Sequence, residues 1–444
     1  MNESNYKKDI KATLLNQIFR VFAGPILLFF IPLYLTPVEQ GYWYTFTSIA
    51  ALAIFADLGF SNIVLQFSAH EFAFLKFNEH KRIIGVKENL FRLSSFFRFS
   101  IKWLLKISCI VFPLVIIGGY LFLNSKSESI NWEIAWLIYS ISSVGVFFNS
   151  IILSFFEGCN SVNVVQKIRF KIAFCNSVVA LICLYLKLGL FALSFSLFIS
   201  FFVGAILIYQ KFKYSIMQLL SITDKVSYNW KNEFFPLIWR YAISWCSGYF
   251  IFQLFTPIAF KFYGPEFSGK IGISIAMWTA GFGIAMSWIN AVTPQINILI
   301  EKRAWIQLDT LFKQSLSKSL VTMIIGGGLF LITDYIFLEK ISLFKRILPV
   351  KDMLILFVCW IGQVYINGMA IYLRGHKKEP LMLISVVVAF YVGISTYFIA
   401  LKLPSRYLML GFLSSLIFWI PVVHSIFLKE KRNHEKFLEV YDEK

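Results

Sequence analysis

Apolar stretches long enough to cross a bilayer recur about twelve times along this chain, at about 20 residues each. Little sequence lies between them. The runs cover residues 14–35, 42–66, 106–123, 133–156, 168–186, 190–209, 236–260, 271–298, 319–338, 353–373, 380–401 and 407–428. Lys187 divides the fifth run from the sixth, and Pro404–Arg406 divides the eleventh from the twelfth. Charged residues make up only 15% of the chain, against about 25% in a soluble domain. The expected fold class is an all-α polytopic membrane protein of about 12 transmembrane helices.

The net charge of +18 invites a nucleic-acid reading, but the placement of the cations excludes it. With both termini on the inner side, about 30 of the 42 Lys and Arg fall on that side and about 10 on the other. The inner set includes Lys7, Lys8 and Lys11, then Lys81–Arg82, Lys302–Arg303, Lys377–Lys378 and Lys429–Arg432. This is the asymmetry of a protein oriented by positive inner loops. One outer loop departs from it, with Lys340, Lys345, Arg346 and Lys351. It is a solvated loop, or one that binds an anion, or a place where the local topology differs from this assignment. Met1–Ala12 is polar, and the first apolar run has the length of a span rather than of a signal core. The first helix is therefore expected to be retained as an anchor.

Loop lengths remove several enzyme classes. The outer connections at 36–40 and 124–132 are short, whereas the inner segment 67–105 is longer. No large outer loop exists to carry a metal-binding acidic motif or a polymerase site, and no GxxxxGK[ST] motif is present. Within the long inner segment, 89–106 mixes Leu90, Phe91, Leu93, Phe96 and Phe97 with Arg92, Arg98 and Lys102. It reads as a basic amphipathic helix on the inner leaflet or as an inward extension of the third span. Six cysteines lie in or beside spans without CxxC or zinc spacing, so neither metal nor cofactor is expected.

A weak internal repeat is legible. Pro37-Val-Glu-Gln-Gly41 follows the first span and Pro265-Glu-Phe-Ser-Gly269 follows the seventh, each at the outer start of the next helix. Arg20 in the first span and Arg240 in the seventh each lie about 9 Å in from the inner face, at 1.5 Å per residue. Six helices separate them, as in a transporter built of two halves. The expected organisation is an N-terminal six-helix bundle over 1–209, an inner linker over 210–235, a C-terminal bundle over 236–428 and an inner tail over 429–444.

An intramembrane charge costs about 2.5–3.5 kcal/mol on insertion scales and is usually paired or functional. Arg20, Asp57 and Arg240 stand out on that criterion. Asp57 sits at nearly the depth of Arg20 on the neighbouring antiparallel helix, so an Arg20–Asp57 contact is geometrically open. Either it is a structural pair, or Arg20 binds an anionic group while Asp57 serves as counter-ion or proton site. Arg240 has no acid at its depth; either its guanidinium faces a cavity, which suits phosphate oxygens, or it snorkels to the inner interface. Glu157, in Phe156-Glu157-Gly158, is interfacial and a weaker proton site; helix termination at Gly158 accounts for that pattern. Asn149, Asn176, Gln253, Asn290, Gln295 and Asn367 either hydrogen-bond between helices or bind sugar hydroxyls. No catalytic triad or paired-carboxylate arrangement emerges.

In order along the chain stand Arg20, Leu35-Thr-Pro-Val-Glu-Gln-Gly41, Phe55-Ala-Asp-Leu-Gly-Phe60, Phe156-Glu-Gly158, Trp239-Arg-Tyr-Ala-Ile-Ser-Trp-Cys-Ser-Gly-Tyr249 and Gly264-Pro-Glu-Phe-Ser-Gly269. Trp288 and Pro294 precede a basic inner loop. In this order and spacing, over essentially its whole length, the chain resembles the bacterial O-antigen and polysaccharide lipid flippases. These belong to the multidrug/oligosaccharidyl-lipid/polysaccharide exporter superfamily. The resemblance implies two pseudo-symmetric six-helix bundles around a central cavity in the bacterial cytoplasmic (inner) membrane, with both termini cytoplasmic. It implies translocation of an undecaprenyl-diphosphate-linked oligosaccharide driven by an ion gradient. Arg20 and Arg240 would bind the substrate, and Asp57 and Glu157 would serve as coupling or counter-ion groups. Partners implied are membrane lipids, a polysaccharide polymerase and a chain-length regulator. Rival readings are a drug/cation antiporter of the same superfamily, a peptidoglycan-precursor flippase, and a membrane glycosyltransferase or polymerase.

Overall fold

The computed structural model describes residues 3–57, 59–126, 130–222, 228, 230, 242–243, 246–337, 342–376 and 380–442. Among these, eleven helices are long and apolar enough to cross a membrane, and the chain is a multi-pass membrane protein. The expected seventh span, 236–260, falls largely outside the described residues. The chain is helical at 246–252 and turns at 253–254 before the next helix. Contacts divide the chain into two compact units, Met1–Cys246 and Ser247–Lys444.

The N-terminal unit begins with α1 (Glu3–Tyr34). The next span is built in pieces: α2 (Pro37–Ala50), a 3-10 turn at Ala51–Ala53, α3 (Ile54–Asp57) and α4 (Phe60–Phe72). The Thr-Pro-Val-Glu motif explains how α2 starts. Pro37 occupies its first turn, and Thr36 and Glu39 form a reciprocal capping box, with Thr36 N donating to Glu39 Oε2 at 2.8 Å. Gly189, at φ 57°, brings a later turn onto this cap; a Cβ there would lie 2.5 Å from Glu39 Oε1.

A small antiparallel hairpin follows, β1 (Leu75–Phe77) with β2 (Ile83–Gly85), paired Leu75 to Gly85 and Phe77 to Ile83. The next helix, α5 (Lys87–Leu123), runs unbroken for 37 residues. The amphipathic stretch 89–106 is thus an extension of the third span and not a separate surface helix. Leu93, Phe96 and Phe97 are buried, in one core with Phe155, Phe156 and Phe212. Ile110, Leu114, Ile117 and Leu121 farther along are exposed, as suits a surface that meets lipid.

The unit closes with α6 (Glu133–Gly158), α7 (Val162–Tyr185) and α8 (Phe191–Ser221). Helix α6 does end at Gly158, but the left-handed residue beyond it is Asn160, at φ 55°. Gly158 serves close packing instead: a Cβ there would fall 2.3 Å from the Leu65 carbonyl oxygen on α4. Helix α8 continues well past Tyr209, so the expected linker begins as helix.

The C-terminal unit contains α9 (Phe255–Tyr263), α10 (Pro265–Glu301), α11 (Trp305–Phe337), the short α12 (Ser342–Lys345), α13 (Val350–Gly375), α14 (Met382–Lys402) and α15 (Leu410–Asp442). Pro265 opens α10 as Pro37 opens α2, where a missing N–H costs nothing. Helices separate at Lys187 and at Pro404–Arg406, as the sequence predicts.

Candidate functional site

The polar groups inside the helices are the candidates for binding and coupling. In the N-terminal unit they form a chain across three helices. Asn16 Nδ2 on α1 donates to Gln166 Oε1 on α7 at 2.8 Å. Gln166 Nε2 donates to Glu157 Oε1 at 2.8 Å. Arg169 Nη1, one turn along α7 from Gln166, completes the chain with an ion pair to Glu157 Oε2 at 2.8 Å. Asn16 and Gln166 are buried, and the side chains of Glu157 and Arg169 are 14% and 25% exposed. Asn16 Oδ1 is buried with no hydrogen-bond partner. Nearer the start of both helices, Asn163 N donates to Asp9 Oδ1 at 3.0 Å. With both carboxylate oxygens of Glu157 engaged, the group acts here as a clamp between α6 and α7.

Asp57 lies at the break in the second span. Gly59, at φ 75°, turns the chain before α4. Asp57 Oδ1 accepts from the Ser61 backbone N–H at 3.1 Å and from the Ser61 hydroxyl. A helix begins with unpaired N–H groups, and an acid beside them is stabilised. The carboxylate therefore supports the restart of a helix interrupted between residues 50 and 60. Irregular backbone at such a depth survives where it is buried in protein or lines a cavity.

Arg20 lies on α1 one turn beyond Asn16, but its side chain falls outside the described residues, and so does the expected contact with Asp57. Arg240 also lies outside them. Of the uncharged groups, Asn149 Nδ2 bridges α6 to α8 through the Phe201 carbonyl at 2.9 Å, the interhelical role.

In the C-terminal unit, Asp309 on α11 pairs with Lys431 Nζ on α15 at 2.6 Å and accepts from the Tyr372 hydroxyl on α13 at 3.3 Å. The Tyr365 hydroxyl meets His424 Nδ1 at 2.6 Å. Hydropathy does not single out these partners, because Asp309 and Lys431 lie outside the apolar runs of their helices, where charge is ordinary. It also passes over Asp334 near the far end of α11, which is fully buried. Its signal is positional: Phe312, Ser319, Met323, Gly327, Leu331 and Asp334 mark one buried face at helical spacing. Among the described residues no three His, Cys, Asp or Glu side chains are grouped to hold a metal ion.

No protein-family model matches the sequence, and no curated protein does either. Solved structures do match. An inward-facing multidrug resistance MATE family transporter of the MOP superfamily superposes with a TM-score of 0.65 at 12% identity, over 93% of this chain and 99% of that one. The lipid II flippase MurJ, in an inward closed conformation, matches with a TM-score of 0.65 at 15% identity, over 97% of this chain and 91% of that one. An outward-facing MATE transporter matches at 0.60 and 13% identity, over 97% of each chain. Identities this low speak for architecture alone, and the chain has the helical fold common to these MATE transporters and the lipid II flippase.

Proposed function

We propose that the chain is a flippase that moves an undecaprenyl-diphosphate-linked oligosaccharide across the bacterial cytoplasmic membrane by alternating access. The observation that carries this reading is the pair Arg20 and Arg240, in the first and seventh apolar runs of the sequence, together with a fold whose solved examples include a lipid II flippase. Guanidinium forks match the oxygens of a diphosphate. Arg20 and Arg240 engage the diphosphate from the inner side, and the polyprenyl tail stays in lipid. The cargo is an O-antigen or other surface-polysaccharide repeat unit, delivered to a polymerase and chain-length regulator. An ion gradient drives the cycle. Both termini are cytoplasmic.

The test is complementation of a deletion strain. Arg20→Ala with Arg240→Ala is expected to abolish surface polysaccharide while leaving protein in the membrane. Unchanged polysaccharide would refute the phosphate role. The multidrug antiporter has one observation in its favour, an equal TM-score of 0.65 to a multidrug resistance MATE transporter. It predicts a shift in a drug-susceptibility panel on expressing cells, which the flippase reading does not.

A further inference from the structure

Among the described residues, Asp334 is the carboxylate whose two oxygens are both buried and without a partner. The residue is fully buried, and neither Oδ1 nor Oδ2 has a hydrogen-bond partner. Asp57, Glu157 and Asp309 are all engaged. An ionised carboxylate held dry and unpaired costs several kcal/mol, and such a group sheds the cost by taking up a proton.

The surroundings can be placed from the packing. Phe312 on Phe or Tyr neighbours fixes one end of the α11–α13 pair, with the Phe312 and Tyr372 rings 4.8 Å apart. Gly327 against Phe357 fixes the middle, since a Cβ on Gly327 would lie 2.3 Å from that ring. The same antiparallel register puts Asp334 level with Val350, where α13 begins. On α10, Trp278 packs on Phe330, one turn before Asp334, at 5.7 Å. The segment carrying α12 closes over this end: Phe344 lies 6.4 Å from Phe330, and Leu348 N donates to Ser274 Oγ on α10 at 3.0 Å. Phe344, Ile347 and Leu348 are buried.

Among the described residues, charged groups at this end are Glu266 and Lys270 on α10, Lys351 and Asp352 on the first turn of α13, and Lys345 and Arg346 on the covering segment. None is paired with Asp334. A second group nearby is also unsatisfied: the Trp278 Nε1 donor is buried with no partner. A buried acceptor and a buried donor, about one helical turn apart on adjacent helices, are both left over in this packing.

We propose that Asp334 is a proton-binding carboxyl of the C-terminal unit and couples transport to the proton gradient. In the packing described, the neutral acid is sealed by the 342–348 segment. When that segment moves from α11, the carboxyl O–H breaks and the proton passes to water at the end where α11 finishes. The ionised form then gains donors, among them Trp278 Nε1. The coupling role rests on the transport reading, whereas the proton site does not.

Two measurements on the full-length chain test this. Infrared difference spectra between acid and alkaline pH should contain the C=O stretch of a protonated buried carboxyl. That band should be lost in Asp334→Asn, with the melting temperature kept because Asn mimics the neutral acid. A band that persists in Asp334→Asn, or no band at all, overturns the proton site. In complemented cells, Asp334→Asn should lose surface polysaccharide and Asp334→Glu should restore part of it. Equal output from wild type and Asp334→Asn, or output that follows a sodium gradient instead of a proton gradient, overturns the coupling role. If the wild-type chain itself makes no polysaccharide, the flippase reading fails, and the infrared band still decides whether Asp334 holds the proton.

Discussion

Glu157 is held from one helix by two different donors, Gln166 and Arg169, and through Gln166 it reaches α1. Removing the acid leaves Arg169 facing a half-buried site without a counter-charge. Breaking a buried pair costs 3–5 kcal/mol, and because Arg169 is a quarter exposed the expected loss for Glu157→Ala is about 2–3 kcal/mol. Arg169→Ala in the same chain removes the orphaned charge, so the double variant should be more stable than the sum of the single ones. Thermal unfolding of the four proteins in detergent measures this coupling; strict additivity would mean the pair contributes nothing. The sequence marks Glu157 as an ionisable residue near a span end, but its partners lie on a different helix at no fixed spacing. Asp57 is legible for a simpler reason: a charge in an apolar run has no cheap place to be. Asp334 escapes because a single acid near the end of an apolar run barely alters the run.

Elements were legible where length and composition decide, as in the long apolar helices and the turns at Lys187 and Pro404. They were not legible where packing decides. The continuity of α5 depends on Phe96 and Phe97 finding Phe155 and Phe156, with Phe97 and Phe155 centroids 4.7 Å apart. The break between α2 and α4 has no proline to announce it; only Gly59 does so weakly. The hairpin is the clearest case, since two three-residue strands are too short to stand alone. It persists because Gln218 on α8 acts as a third strand. Gln218 Oε1 accepts from Ile83 N at 2.8 Å, and its Nε2 donates to Ile83 O at 2.8 Å. Gln218→Leu deletes both bonds and leaves the buried Ile83 amide unpaired, at about 1–3 kcal/mol. The expected result is local: trypsin should cut faster after Lys81 and Arg82, while the helices stay protected. Unchanged cleavage would show that the hairpin is held without Gln218, by its apolar contacts and by the Ser215 hydroxyl on the Lys81 carbonyl.

At the scale of the whole molecule, the number of crossings sets which side every loop faces. Eleven spans are seen among the described residues, and the stretch 223–252 decides whether there is a twelfth. The charge distribution argues that there is. With twelve, Lys302–Arg303, Lys377–Lys378 and Lys429–Arg432 share a side with Lys7, Lys8 and Lys81–Arg82, and the positive-inside rule holds everywhere but in the loop of Lys340, Lys345, Arg346 and Lys351. With eleven, every connection after α9 changes side, and the most basic turns of the C-terminal unit face outward. The same parity governs Asp334, because the end of α11 faces outward only if 223–252 crosses. Fluorescent-protein fusions that mature only in the cytoplasm are therefore expected to glow when joined after Lys444 or within the Lys302–Arg303 turn. They should stay dark within the Pro404–Arg406 turn, where an alkaline phosphatase fusion should be active instead. The reverse pattern after α9, with the N-terminal unit unchanged, would remove the twelfth crossing. It would also leave Arg240 in no crossing and undo the two-half arrangement on which the proposed diphosphate site depends.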